Sequence, residues 1–452
     1  MKISFLTLGC KLNYAETSTY ERGFKESGFE VVPWQEKADV YIVNTCTVTA
    51  TSDAKSRNLV RKMHRVNPEA VIVVTGCSAE LRRGDYESIE GVARVFGAGE
   101  KALVVPETLY LVSEGSAAQQ TASGAEICKS RLNATGGGRD GATAMSVGRE
   151  LRGTAGSSAP SNAFAAYSEG ERTRSFLKVQ DGCNNFCKYC TVPYARGRSR
   201  NVPISECVRN AEAIASKGVK EIVLTGVNTG DFGRTTGESF IDLLKALNGV
   251  DGIERYRISS IEPNLITEDT VDWIASGTKF QPHFHIPLQT GSDTLLKTMG
   301  RRYDTAFFAS RMEYIRSRME APGKPKVFFG IDTMVGLPGE TDTLFQETYD
   351  FIATVKPAFI HVFPYSRRPG TPAASMPGQV SEHLKHERVM ILEELCARLH
   401  NDFIESNRGI HERVIFESKE KNGNMSGYTG NYIRIERPYE KALVGKLTDI
   451  II

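Results

Sequence analysis

Apolar and polar positions along the chain fall into distinct regimes. In residues 1–107, short continuous runs of Val, Ile and Leu alternate with mixed stretches. "KISFLTLGC", "DVYIVNTC" and "AVIVVTGC" read as strands, with helical stretches such as "NYAETSTYERGFKESG" and "DAKSRNLVRKMHRV" between them. Strands with continuous Val and Ile runs, separated by helices, predict a parallel sheet covered on both faces.

The pattern fades in residues 108–172. "GSAAQQTASGAE" and "NATGGGRDGATA" are rich in Gly, Ala and Ser and poor in large apolar residues. Such a segment buries too little surface to offset its chain entropy, so it reads as a flexible linker or insertion. Alternation then resumes. "SFLKVQ", "EIVLTG", "RYRISS", "HFHIPL", "KVFFGIDTMVG" and "FIHVFPY" are six strands with helices between them. Six units predict a curved, incomplete barrel rather than a closed eight-unit one, with chemistry at the carboxyl ends of the strands. "VSEHLKHERVMILEELCARLHNDFIESNRG" reads as a long helix stopped at Gly409. Beyond it, "RVIFESKEK", "MSGYTGNYIRIER" and "KALVGKLTDII" alternate at period two, which predicts a small all-β module. The expected fold class is therefore α/β. It comprises a parallel-sheet domain at 1–107, a linker at 108–172, a partial barrel at 173–408 and a β module at 409–452.

Composition narrows the function classes only a little. The apolar and charged fractions, 40% and 24%, are those of an ordinary globular protein. A net charge of +2 gives no overall pull toward nucleic acid or membrane, so any such surface is local. The first residues, "MKISFLTLGC", read as a strand rather than a secretory signal, and no apolar run reaches the roughly 20 residues of a membrane span. The expected compartment is the cytoplasm. There the nine cysteines would stay reduced, which favours metal binding or burial over disulfides.

Two cysteine groups stand out. Cys183, Cys187 and Cys190 form a C-x3-C-x2-C run just after the first barrel strand, and no fourth cysteine lies close by. Three thiolates could hold an iron–sulfur cluster with one iron left open, a zinc ion completed by a distant ligand, or nothing at all. Cys10, Cys46 and Cys77 each end a strand of the first domain, at intervals of 36 and 31 residues. One strand–helix unit per interval places all three at the same sheet edge, where open α/β sheets bind ligands. Three buried small residues are the alternative there. Cys128, Cys207 and Cys396 are expected to be incidental or buried. The alternating histidines of "HFHIPL" are expected to pack, and Asp293 is a polar rim position.

With an aromatic residue, Tyr189, before its last cysteine, the run resembles the radical S-adenosylmethionine superfamily. "LTGVNTG", "SSIEP", "HIPLQTGSD" and "TMVGLPGET" follow in that superfamily's order. Together with "TLGCKLNYAET", "VNTCTVTATSDAKSR" and "VTGC", the whole chain apart from the linker resembles the methylthiotransferases of that superfamily. The resemblance implies two 4Fe–4S clusters, one on each cysteine triad, and S-adenosylmethionine at the open iron of the second. It implies cofactor contacts from Tyr189, Gly226, Asn228, Ser260, Glu262, Gln289, Gly336 and Glu340. It also implies a carboxyl-terminal module of the TRAM type, an external electron donor and a sulfur source. A monomer that does not touch a membrane is expected.

"QDGCNNFCKYC", "VPYARGRSRN" and "GYTGNYIRIERPYEKALVG" look most like the branch that acts on threonylcarbamoyl-adenosine of tRNA. The other branches act on isopentenyl-adenosine or on an aspartate of a ribosomal protein. A carrier of iron–sulfur clusters without enzyme activity is the reading from another class. Residues 188–200 hold Lys188, Arg196, Arg198 and Arg200 with no acid, a rim suited to phosphates. Tyr428, Tyr432 and Arg434 are further candidate RNA contacts through stacking and charge. Residues 409–452 carry seven basic against six acidic side chains, so charge alone does not mark that module as an RNA binder.

Overall fold

The computed structural model describes residues 1–47, 50–120, 162–169 and 173–452. Its contacts divide the chain into two compact units, residues 1–9 with 20–160 and residues 10–19 with 161–452.

The first unit is built on β1 (Lys2–Thr7), β2 (Glu30–Val31), β3 (Val40–Thr45), β4 (Val71–Gly76) and β5 (Val92–Phe96). They pair in parallel in the order β2-β1-β3-β4-β5. All six residues of β3 are buried, as a strand covered on both faces requires. The register sets Thr7 beside Asn44 and Asn44 beside Thr75. Cys46 and Cys77 directly follow β3 and β4, and Cys10 lies three residues beyond β1. Thr45 fastens the two central strand ends: its hydroxyl donates to Thr75 O at 2.7 Å and accepts from Ala79 N at 3.0 Å. Gly76, just before Cys77, has φ +102°, and a Cβ there would lie 2.4 Å from Thr45 O. Only glycine fits so close an approach.

The second unit contains β6 (Ala166–Tyr167), β7 (Arg174–Lys178), β8 (Gln180–Asp181), β9 (Arg200–Asn201), β10 (Glu221–Thr225) and β11 (Arg255–Ile258). It continues with β12 (His283–Gln289), β13 (Phe328–Val335) and β14 (Phe359–Pro364). The six long parallel strands follow one another as β7, β10, β11, β12, β13 and β14. They are hydrogen-bonded as two sheets, β11-β10-β7-β6 and β12-β13-β14. A Tyr256–Phe280 bridge and Ile261 N donating to His285 O span the seam between the sheets. Alternate strand residues, among them Leu177, Ile222, Leu224, Ile258 and Phe284, build the main core together with apolar residues of the intervening helices. The opposite alternates, Phe176 and Val223, pack against Tyr14 and Ala15 from the first half of α1 (Lys11–Glu26).

The carboxyl-terminal strands β15 (His411–Lys421), β16 (Asn424–Thr429), β17 (Arg434–Pro438) and β18 (Leu447–Ile451) form an antiparallel sheet in the order β17-β16-β15-β18. Three arginines of barrel strands β7 and β11 hold this sheet. Arg255 donates to Tyr428 O at 3.3 Å, and Arg257 to Gly430 O and Thr429 O, each at 2.7 Å. Arg174 donates to Glu417 at 2.9 Å and to the Tyr432 hydroxyl at 3.1 Å.

Two expectations change. Helix Val104–Gln120 runs past the boundary set at 107, because Thr108 and Val112 still have a buried face to fill. At the other end, Ala166 and Tyr167 pair antiparallel with β7, and Ala163 and Ser168 are buried. Residues 162–169 thus belong to the barrel unit rather than to a linker. The linker expectation for 121–161, with Cys128, and for 170–172 lies outside the described residues. Among the described residues, no helix is long and apolar enough to cross a membrane.

Candidate functional site

The loop after β8 carries Cys183, Cys187 and Cys190, and its backbone is pinned throughout. Cys183 N donates to Gly197 O at 3.1 Å, Lys188 N to Met299 O at 3.0 Å, and Cys190 N to Cys187 O at 2.9 Å. Lys188 O in turn accepts from Ala373 N at 3.0 Å. Gly182 opens the loop at φ +74°, where a Cβ would strike Arg198 O. Phe186, at φ +49°, adopts the left-handed conformation without being glycine, which costs about 1 kcal/mol or more.

Each of the three sulfurs has an N–H aimed at it. Asn185 N reaches Cys183 Sγ at 3.4 Å, and Val192 N reaches Cys190 Sγ at 3.4 Å. Arg301 Nη1 reaches Cys187 Sγ at 3.2 Å. Donors of this kind favour thiolates, the form that binds metal. Burial pushes the free thiol of Cys183 up to about 11 and that of Cys190 to about 12, so metal binding there must release protons. Among the described residues no fourth thiol joins them: Cys207 is buried on helix Ile204–Ser216 and bonds Val202 O. Three donor-supported sulfurs fit a 4Fe–4S cluster with one open iron, and they leave a structural zinc one ligand short.

Arg301, which sequence reasoning missed, links the expected cofactor contacts. Besides Cys187, its guanidinium donates to the Tyr189 hydroxyl at 3.3 Å, Glu262 at 2.5 Å and the Tyr303 hydroxyl at 2.8 Å. Burial raises the pKa of Glu262, and Arg301 opposes that shift. Tyr189 packs against the apolar cluster that contains Leu295, Met299, Leu337 and Tyr365. A second missed residue, Gln180, accepts from Asn228 N at 3.0 Å, and a Cβ at Gly226 would lie 2.9 Å from its Oε1. Asn228 Oδ1 accepts from Glu262 N at 3.2 Å, and Ser260 O accepts from Thr229 N. Tyr189, Gly226, Asn228, Ser260 and Glu262 are thus joined in one web beside the cysteines. Gln289 closes β12 at φ +72°, next to a register shift. Gly336 and Glu340 are tied to each other: Glu340 Oε1 accepts from Gly336 N at 2.7 Å and from Arg388 at 2.6 Å.

The basic rim is smaller than expected. Lys178 lies 2.6 Å from both Glu16 and Asp181, and all three side chains are fully buried. Arg196 joins them, 3.2 Å from Glu16 and 2.9 Å from Asp181, and Arg200 lies 3.7 Å from Asp181. Arg196 and Arg200 are therefore internal cations and do not offer themselves to phosphates, which corrects the expectation for both. A basic run in a sequence cannot reveal acids that lie far away along the chain. Arg198 is exposed, with its guanidinium 5.6 Å from the Phe186 ring. Tyr432 is likewise a docking residue, set 4.7 Å from the Arg257 guanidinium and stacked at 4.8 Å on the half-buried Tyr428. Arg434 is exposed and pairs with Glu436 at 2.7 Å. As expected, His283 is packed, between Phe328 and Tyr432. His285 is not: its Nε2 lies 2.9 Å from Asp332 Oδ1, because that strand face turns inward toward polar neighbours.

Residues 2–97 match a family described as "uncharacterized protein family UPF0004", and residues 177–352 match the radical SAM superfamily. The chain is 37% identical to "threonylcarbamoyladenosine tRNA methylthiotransferase MtaB" of Bacillus subtilis, over 99% of this chain and 93% of that one. It is 34% identical to the protein of the same name in Aquifex aeolicus, over the full length of both. It is 30% identical to "tRNA-2-methylthio-N(6)-dimethylallyladenosine synthase" of Alkaliphilus oremlandii, over 99% of this chain and 89% of that one. Among solved structures, the radical S-adenosylmethionine methyltransferase TsrM of Kitasatospora setae shares the fold. The TM-score is 0.55 at 16% identity, covering 82% of this chain and 74% of that one.

Proposed function

The chain belongs to the radical S-adenosylmethionine methylthiotransferases, and from that premise we propose that it adds a methylthio group to C2 of N6-threonylcarbamoyladenosine, next to the anticodon of tRNA. The observation that carries the chemistry is the loop of three cysteines, each sulfur receiving an N–H and none joined by a fourth thiol among the described residues. The substrate reading rests on full-length similarity to relatives bearing that name.

An aromatic C–H offers no easy acid–base route, so the reaction calls for a radical. When bound, two 4Fe–4S clusters and S-adenosylmethionine supply the electron, the radical precursor and the sulfur. Cys183, Cys187 and Cys190 would hold the cluster of the barrel, and Cys10, Cys46 and Cys77 the second. Tyr189, Asn228, Ser260 and Glu262 would orient the methionine and adenosine parts of the cofactor from the web tied by Arg301. Lys178, Glu16, Asp181 and Arg196 keep the floor of the site rigid. An external reductant and a sulfur donor complete the reaction, and the enzyme works in the cytoplasm.

Deleting the gene from its host tests the proposal. Nucleoside mass spectrometry of the tRNA is expected to lose the 2-methylthio form of threonylcarbamoyladenosine while the unthiolated form accumulates. Loss of the dimethylallyl counterpart instead would favour the second reading, for which the Alkaliphilus relative speaks.

The two kinds of arginine in residues 188–200 separate by experiment. Arg198→Ala is expected to weaken tRNA binding and lower the salt dependence by about one ion, with the fold intact. Arg196→Met leaves Glu16 and Asp181 short of a cation and is expected to cost about 3–5 kcal/mol of stability. Binding across a salt series and thermal denaturation read the two effects. An unchanged salt slope for Arg198→Ala would remove it as a phosphate contact.

A further inference from the structure

We infer that Lys11, His361 and the His285–Asp332 pair form a subsite on the inner face of the barrel for a carboxylate-bearing substituent on the substrate base. This rests on the threonylcarbamoyl reading above and extends it to the residues that select the substrate.

The three strands involved are neighbours. β13 pairs with β14 so that Asp332 faces His361, and with β12 so that Asp332 faces Pro287, two residues beyond His285. One polar atom from each of His285, Asp332 and His361 falls within 4.8 Å of the others. The His285 and His361 rings lie 5.4 Å apart. Lys11 opens α1, whose first half packs on the inner barrel face through Tyr14 and Ala15. Its ammonium lies within electrostatic reach of Asp332, Tyr432, Arg174 and Arg257.

The charges around Lys11 argue for an anion. Arg174 and Arg257 are committed to Glu417, Glu221 and main-chain carbonyls. Asp332 is held by His285. Among the described residues, no hydrogen bond or ion pair engages the Lys11 ammonium, and none engages the ring nitrogens of His361. Lys11 keeps solvent access. Burial lowers the pKa of His361, leaving a neutral imidazole.

Two His and one Asp could in principle take a divalent cation. The ammonium of Lys11, close enough to act on both Asp332 and His361, opposes that. A threonylcarbamoyl group brings a carboxylate and a hydroxyl, the partners an ammonium and a neutral imidazole lack here. A dimethylallyl group brings neither. It would leave the ammonium and imidazole unpaired, which is how a polar site rejects an apolar analogue.

The test uses the full chain with both clusters reconstituted, comparing Lys11→Met, Lys11→Arg and His361→Ala with the parent. Methylthiolation is measured on the same tRNA carrying a threonylcarbamoyl or a dimethylallyl group. Lys11→Met is expected to lower kcat/KM for the threonylcarbamoyl tRNA on the order of 100-fold, mainly through KM, with Lys11→Arg restoring part of it. Iron content and the electron paramagnetic resonance signals of the reduced clusters are expected to stay as in the parent, so that the loss is one of recognition. If the parent prefers threonylcarbamoyl and both Lys11→Met and His361→Ala keep that preference, the subsite is overturned while the function stands. A parent that prefers dimethylallyl overturns both. One equivalent of zinc retained by the cluster-free parent and lost in His361→Ala would assign the group to a metal and overturn the inference.

Discussion

Replacing Cys183, Cys187 and Cys190 together with alanine will leave a protein that binds about half the parent's iron and forms no 5′-deoxyadenosine. The expectation follows from the geometry of the loop. The three sulfurs are its only thiols, each has its own N–H donor, and Cys207 is committed to Val202 O. The loop backbone bonds to Gly197, Met299 and Ala373, none of which depends on a cysteine side chain, so the fold has no reason to fail. Iron and sulfide analysis of the anaerobically reconstituted protein, with chromatography of the cofactor products, reads both outcomes. A variant with the parent's iron content would show that the loop is not a cluster site.

Arg301→Met carries the second large effect. The guanidinium touches Cys187, Tyr189, Glu262 and Tyr303, so its removal acts on the sulfur and on the fold at once. A cation and an N–H beside a ligand sulfur favour the more negative, reduced cluster. Their loss is expected to lower the midpoint potential by about 60 mV, which for one electron is about 1.4 kcal/mol, the scale of one charge-assisted hydrogen bond. Glu262, left buried without its cation, is expected to cost about 3–5 kcal/mol of stability. Arg301→Lys, which keeps the charge, should recover part of both. A redox titration followed by electron paramagnetic resonance separates the electronic effect from the structural one. An unchanged potential at full iron content would reduce Arg301 to a packing residue.

Local signals in the sequence foretold the strands and the cysteines well. Val40–Thr45 and Val71–Gly76 each open with a run of four apolar residues because they are covered on both faces, and their cysteines follow at the first position beyond each strand. The six barrel strands were equally plain. What stayed hidden depends on partners far apart in the chain. Arg196 reads as a surface cation until Glu16, 180 residues away, is found beside it. Arg301 reads as half of an ordinary basic pair, since arginine is seldom buried. His285 reads as one more alternate strand position until Asp332 and His361 arrive on the neighbouring strands. The run from 108 to 120 looked too poor in large apolar residues to hold a helix, although Thr108 and Val112 suffice to extend one.

The arginines under the small carboxyl-terminal sheet bear on how the chain can be divided. Arg255, Arg257 and Arg174 belong to barrel strands, yet each gives donors to carbonyls or side chains of residues 413–432. A cut near residue 408 follows the connectivity of the chain, but it strips partners from three guanidinium groups and uncovers the His283 and Phe328 rings under Tyr432. The boundary is one of topology and not of stability. A shortened chain meant to isolate the radical chemistry would begin with a damaged barrel, and its inactivity would say nothing about a role of the small sheet in holding RNA.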